Sequence, residues 1–285
     1  MYTSIVRLRN PDIATELPTK EYPVTHMSVG WHFAATVIKG IGLLVWKSDL
    51  SFPVRHTMLN QQHPRNQQPT RYCAAKKVIR AEESDGTSSD LRAIIGLMVG
   101  EGFLVYLTEA GTVNRVNLDE DGFDSTQLTS YQLQKFTATP KLSYLSGSFY
   151  SFGLFNTAGD VLIGDFRTKL DSRPTISPGL QRRGIIGLSW GDWHALALCE
   201  DGSILSWGKE LRGNGCLGMG YSDSDDAREQ GLHVERGEVY TLQPMRIPGF
   251  GGDEDKFAFC VAAAGWHSAA LVADFKVPEA RKREW

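Results

Sequence analysis

The chain is 285 residues long, 41% hydrophobic and 22% charged, which is enough apolar material for a substantial core. Its formal charge of −3, from 33 acidic against 30 basic residues, gives no general pull toward nucleic acid, and none is expected as a partner. No run reaches the roughly 18 apolar residues of a membrane span and no apolar signal core opens the sequence, so a cytoplasmic or nuclear protein without membrane contact is expected.

In chain order, Tyr2–Leu8 reads as a strand, and Pro11, Pro18 and Pro23 break the stretch after it. Gly30-Trp31-His32 then opens an apolar run, Phe33–Thr36. Residues 48–90 read as an insertion, with a polar, proline-flanked centre (Asn60–Pro69) that predicts a mobile surface loop. Gly100 precedes the run Leu104–Leu107, followed by a turn through Glu109 and Gly111. Gly147 precedes the run Phe152–Phe155, followed by a turn through Asn156 and Gly159.

The fullest stretch is Ile185–Gly220. Gly191 and Trp193-His194 lead into the strand Ala195–Leu198. Asp201-Gly202 supplies hairpin-turn chemistry, because glycine accepts the positive φ that a tight turn demands. The strand Ile204–Trp207 ends in Trp207-Gly208, and a glycine-rich exit carries Gly215, Gly218 and Gly220. Residues 209–256 read as a second insertion with two acidic clusters, Asp223/Asp225/Asp226 and Asp253/Glu254/Asp255. Gly265-Trp266-His267 opens a final run, Ser268–Leu271, with no Asp-Gly turn or Trp-Gly after it. The basic run Arg281-Lys282-Arg283 is too short for an arm.

The chain therefore repeats itself. Aligned on the histidine, the column is His32, Phe103, Tyr150, His194, His267, with steps of 71, 47, 44 and 73 residues. A period near forty-five, stretched twice by insertions, is a repeat architecture with copies starting near 27, 98, 145, 189 and 262.

These residues resemble the regulator-of-chromosome-condensation repeat family, whose repeat has a Gly-x-x-His start, an apolar strand, an acidic-Gly turn, a Trp-Gly and a glycine-leucine-glycine exit. Gly191, His194, Asp201-Gly202, Trp207-Gly208 and Gly215–Gly220 carry all of it, and Pro244–Ile247 matches the stretch that often precedes the next copy. The resemblance covers roughly residues 22 to 275 and implies an all-β fold, a seven-bladed β-propeller of which five copies are visible. The expectation is a single propeller domain over 1–285, a partial or open ring, forming the C-terminal portion of a longer propeller. It also implies a non-catalytic protein-interaction module, with the two insertions as candidate contact elements. The irregular insertions and the Gly-Trp-His-Ser-Ala-Ala-Leu ending look most like fungal F-box proteins bearing such repeats. In those, the propeller selects degradation substrates for a Skp-cullin-F-box ubiquitin ligase. The alternative is nucleotide exchange on a small GTPase, the activity of the family's founding member.

Competing motifs have blander explanations. Gly187-Leu188-Ser189-Trp190-Gly191 satisfies the Gly-x-Ser-x-Gly of a serine hydrolase, but a strand and an Asp-Gly turn come after it where a helix is needed. Gly213–Gly218 satisfies a dinucleotide-binding pattern, but acidic residues succeed it. Asp119–Asp124 resembles a calcium loop but has Ser130 at the twelfth position, where the ligating Glu belongs. The Trp-His histidines sit in different copies and are expected to be structural, and the tryptophans beside them to pack between blades. Cys73, Cys199, Cys216 and Cys260 form no Cys-x-x-Cys and are expected as buried thiols. No cofactor or metal is expected.

Overall fold

The computed structural model describes residues 6–8, 23–39, 42–47, 71–73, 77–80, 94–118, 129–131, 141–166, 174–211, 214–220, 231–252 and 254–275. Among them every regular element is a strand, apart from one 3-10 turn at Pro178–Leu180. The chain divides into two compact units, 1–130 and 131–285.

The first unit opens with β1 (Val6–Leu8), which pairs in parallel with β5 (Arg71–Cys73). Strands β2 (Val24–Val29), β3 (Phe33–Ile38), β4 (Gly42–Lys47) and β6 (Lys77–Arg80) form an antiparallel sheet in that order. A second sheet is built from β7 (Ile94–Val99), β8 (Phe103–Thr108), β9 (Val113–Asn117) and β10 (Thr129–Tyr131). Phe33, Ala35, Val37, Leu43 and Val45 of one sheet pack on Ile94, Val99, Leu104 and Tyr106 of the other. The middle strands β3 and β8 are buried almost throughout. A strand covered on both faces has no solvent side, so it reads as a continuous apolar run rather than an alternation.

The second unit holds three sheets. Strands β11 (Leu142–Ser148), β12 (Ser151–Asn156), β13 (Val161–Asp165) and β14 (Thr175–Ile176) form the first. The second has five strands, β15 (Ile185–Trp190), β16 (His194–Cys199), β17 (Ile204–Leu211), β18 (His233–Glu235) and β19 (Glu238–Arg246), in the order β15-β16-β17-β19-β18. The last is a two-stranded pair, β20 (Lys256–Ala264) with β21 (His267–Asp274). Val161, Leu180, Leu188 and Ala197 fill one inter-sheet core, and Leu196, Leu198, Ile204 and Ala258 fill the next. Tyr144 stacks on Phe155 at 4.4 Å and donates its hydroxyl hydrogen bond to the Leu188 carbonyl of the neighbouring sheet.

Among the described residues, the five antiparallel sheets share one irregularity. The ladder slips between Val24 and His26, Ile94 and Gly96, Leu142 and Tyr144, Ile185 and Gly187, and Ala258 and Cys260. Each is a one-residue bulge in the first strand of its sheet, leaving Thr25, Ile95, Ser143, Ile186 and Phe259 outside the pairing and exposed. The sheets around Gly100 and Gly147, which lack the Trp-His signature, are thereby copies of the same blade.

Several expectations change. Residues 48–90 and 209–256 are not insertions throughout. Lys77–Arg80 is the fourth strand of the first blade, and Glu238–Arg246 is the fourth strand of its own, carrying β18 as a fifth. Cys199 and Cys216 are buried free thiols, but Cys260 is exposed. The Asn60–Pro69 loop, Asp119–Asp124, Asp223/Asp225/Asp226, Asp253 and Arg281–Arg283 lie outside the described residues.

Candidate functional site at the turn edge of the blades

The first and second strands of each blade are joined by a short turn, and the repeat's signature residues lie there. Three of these turns have one geometry. The amide of Gly30 donates to the Phe33 carbonyl, that of Gly100 to Phe103, and that of Gly191 to His194. The other two are two-residue turns, Phe149-Tyr150 and Gly265-Trp266, with φ of 55° at Phe149 and 54° at Gly265.

This geometry shifts the sequence alignment by one residue in the first copy. The residue in the slot of His194 and Phe103 is the buried Phe33, not His32. His32 instead stands in the exposed turn, its Nδ1 2.7 Å from Glu101 Oε1 of the adjacent turn. His267 is the exposed first residue of β21. The spacing from Gly to His, two residues at Gly30 and Gly265 but three at Gly191, was the available signal.

Among the described residues, His194 is the buried histidine. Its Nε2 lies 2.8 Å from Ser268 Oγ, and that hydroxyl donates at 2.7 Å to the Cys216 carbonyl. With the serine proton spent on a carbonyl, Nε2 carries the hydrogen and donates, which fixes a neutral tautomer. Nδ1 is buried without a hydrogen-bond partner among the described residues. Burial pushes the imidazole below its ordinary value of 6.5, outweighing the upward pull of the His267 backbone and the Glu210 carboxylate. The Ser–His pair here cannot activate the serine, because the hydroxyl proton does not point at the ring.

The glycines beside it are set by close approach. A Cβ on Gly191 would lie 2.7 Å from the Gly265 carbonyl and 2.6 Å from His194 Nδ1. Gly208 has φ of 108°, and its Cβ would collide with the Trp193 carbonyl, which accepts the Lys209 amide at 2.8 Å. The Trp-Gly of the repeat is thus the point where β17 crosses the turn before β16. In the glycine-rich exit, Leu217 is fully buried and its amide donates to Glu210 Oε2. Turns rather than a helix come after Asn214, so no helix N-terminus faces a phosphate there. Desolvation, then the Glu210 carboxylate, push the buried Cys216 thiol up to about 12, which leaves it inert.

Ser189, the serine of Gly-x-Ser-x-Gly, accepts the Ala263 amide at 2.7 Å and ties β15 to β20. Ser28 does the same in the first unit, accepting the Val99 amide at 2.9 Å from β7. The serine two residues before the turn glycine is an inter-blade tie. Ser189→Ala should cost about 1 kcal/mol by leaving the Ala263 amide unpaired, read as a lower melting temperature. The wild-type chain should resist a fluorophosphonate probe, and labelling at Ser189 would reverse this assignment.

What the turn edge exposes is aromatic. Phe149 packs on Tyr150 at 4.3 Å, Phe149 meets Trp193 edge-on at 6.3 Å, and Trp193 lies nearly parallel to Trp266 at 6.3 Å. This row runs across three successive turns of the second unit, and Trp193 is 38% exposed. Beside it a shallow cleft is lined by Ser151, Trp190, Asp192, Trp193 and Trp207. Burial pushes the Asp192 carboxyl upward. Trp193 and Trp266 thus approach each other from successive blades, whereas Trp31 is 57% exposed. Among the described residues no cluster of three or more His, Cys, Asp or Glu is placed to hold a metal.

The chain superposes on Prp20p of Saccharomyces cerevisiae, described with its binding to Gsp1p and histones, with a TM-score of 0.55 at 13% identity over 93% of this chain and 59% of that one. The blades have the β-propeller fold of that protein. No protein-family model matches the chain. Among curated proteins, this repeat chain is 36% identical over 193 residues to F-box protein pof9 of Schizosaccharomyces pombe, covering 62% of the chain and 39% of the relative. It is 24% identical over 263 residues to SCF-associated factor 1 of Saccharomyces cerevisiae, covering 88% and 35%. The repeat chain thus spans less than two-fifths of the length of these two curated relatives.

Proposed function

We propose that this chain is the protein-recognising propeller segment of an F-box type ubiquitin-ligase subunit, acting in cytoplasm or nucleus. The observation that carries the reading is the 36% identity to an F-box protein over 193 residues. The site supports it. Ser189 and His194, which resembled catalytic groups, are engaged in holding blades together, while the row Phe149, Trp193 and Trp266 is presented at the turn edge. Aromatic side chains offer large rigid contact area at low entropic cost, which is why they anchor protein interfaces. On this reading the blades choose the substrate, and Skp and cullin subunits join through the rest of the ligase subunit.

The test is affinity purification of the full-length endogenous product with mass spectrometry of bait and partners. Skp and cullin subunits should co-purify. A small GTPase recovered without ligase subunits would overturn the reading in favour of nucleotide exchange.

A further inference from the structure

The three four-residue turns place an equivalent side chain directly after the glycine: Trp31, Glu101 and Asp192. In the first unit the carboxylate at this position is met by the neighbouring turn, since His32 Nδ1 lies 2.7 Å from Glu101. In the second unit the neighbouring turns give Asp192 no such partner. They are Phe149-Tyr150 on one side and Gly265-Trp266 on the other, and they supply aromatic rings. The Asp192 amide is used, donating to the Gly265 carbonyl at 2.9 Å. Among the described residues, no donor or cation lies within hydrogen-bonding distance of its carboxylate.

We infer that the Asp192 carboxylate, together with Trp193 and Trp266, forms a receptor for an arginine side chain of a protein partner. A carboxylate beside aromatic faces complements a cation, because the rings' negative faces and the carboxylate attract the same charge. Arginine fits better than lysine. Its planar guanidinium stacks on an indole while its fork of N–H groups binds a carboxylate. Trp193 lines the same cleft as Asp192, and its indole lies nearly parallel to that of Trp266, 19° apart. The half-buried position of Asp192 strengthens the pairing, since partial desolvation lowers the screening that weakens surface ion pairs. This deepens the protein-recognition reading by naming the side chain recognised, and it rests on that reading.

The test titrates the full chain, labelled with nitrogen-15 at tryptophan, with capped Gly-Arg-Gly peptide, tracking the indole N–H signals. Trp193→Phe and Trp266→Phe assign the two resonances. Both should shift in a saturable way. Asp192→Asn, whose fold contacts are backbone only, should weaken binding about tenfold with an unchanged melting temperature. Glu235→Gln, an exposed carboxylate elsewhere in the unit, should leave it unchanged. Capped Gly-Lys-Gly should bind several-fold more weakly, and the citrulline peptide should not bind. Absence of a saturable shift, equal response to the citrulline peptide, or an unaffected Asp192→Asn variant would overturn the inference. These outcomes are independent of whether ligase subunits co-purify: peptide binding without Skp and cullin defeats the ligase reading alone. Ligase subunits without peptide binding defeat this inference alone.

Discussion

Gly208→Ala should be among the most damaging single substitutions in the chain, costing about 3 kcal/mol and lowering the melting temperature by several degrees. Two costs coincide there. With φ of 108°, the backbone is one that an L-residue adopts only under strain, and the added methyl would meet the Trp193 carbonyl. That carbonyl cannot retreat, since it accepts the Lys209 amide and anchors the turn before β16. Gly215→Ala separates the two costs: its φ is 78°, but nothing lies within 4 Å of the new Cβ. It should cost only about 1 kcal/mol, the conformational part alone. Equal losses in the two variants, measured by denaturant unfolding, would show that the crossing at Trp193 is not as tight as described.

The second large effect is expected at His194. Truncation to Ala should cost about 2–3 kcal/mol, combining a cavity with the loss of the Ser268 hydrogen bond. His194→Phe should be far milder, within about 1.5 kcal/mol at pH 7, as for a shape-conserving core change. The reason is that Phe33 and Phe103 already occupy this slot in the first unit. Phenylalanine also removes the buried, unpartnered Nδ1. The two proteins should then part with pH. Because burial depresses the folded pKa of His194 below its ordinary 6.5, the unfolded state takes up the proton first. Its contribution is therefore intact above pH 6.5 and is lost as pH falls through the folded pKa, at up to about 1.4 kcal/mol per pH unit. His194→Phe should lack this slope and overtake the wild type in acid. Parallel melting curves of the two proteins from about pH 7.5 to about pH 5 would remove His194 as the titrating group.

Much of the architecture was legible in the chain because a repeat states its constraints several times. Gly202, Gly111 and Gly159 carry φ of 77°, 84° and 85°, so the turns marked by glycine in the sequence are the turns that form. The runs after each turn are apolar because β3, β8, β12 and β16 are covered on both faces. Local rules of this kind need only neighbours in sequence. They fail where a residue's role depends on what lies across the sheet. The sequence alignment counted His32 with His194, but the turn's hydrogen bond decides which side chain points inward, and it chooses Phe33. Residues 209–256 looked like an insertion because the fourth strand, Glu238–Arg246, is distant in sequence from the strand it pairs with.

The candidate site divides in the same way. Trp193 and Trp266 were visible as repeat residues, yet their near-parallel approach, with Asp192 between aromatic turns, exists only because successive blades stack side by side. The sequence by itself determined the blade, its turns and the number of copies, since these come from glycine conformation and strand periodicity. Tertiary structure alone decided which histidine is buried, which serine ties two blades, and which carboxylate shares a cleft with tryptophans. Those outcomes depend on contacts between copies some 45 to 75 residues apart, which no local pattern of side chains encodes.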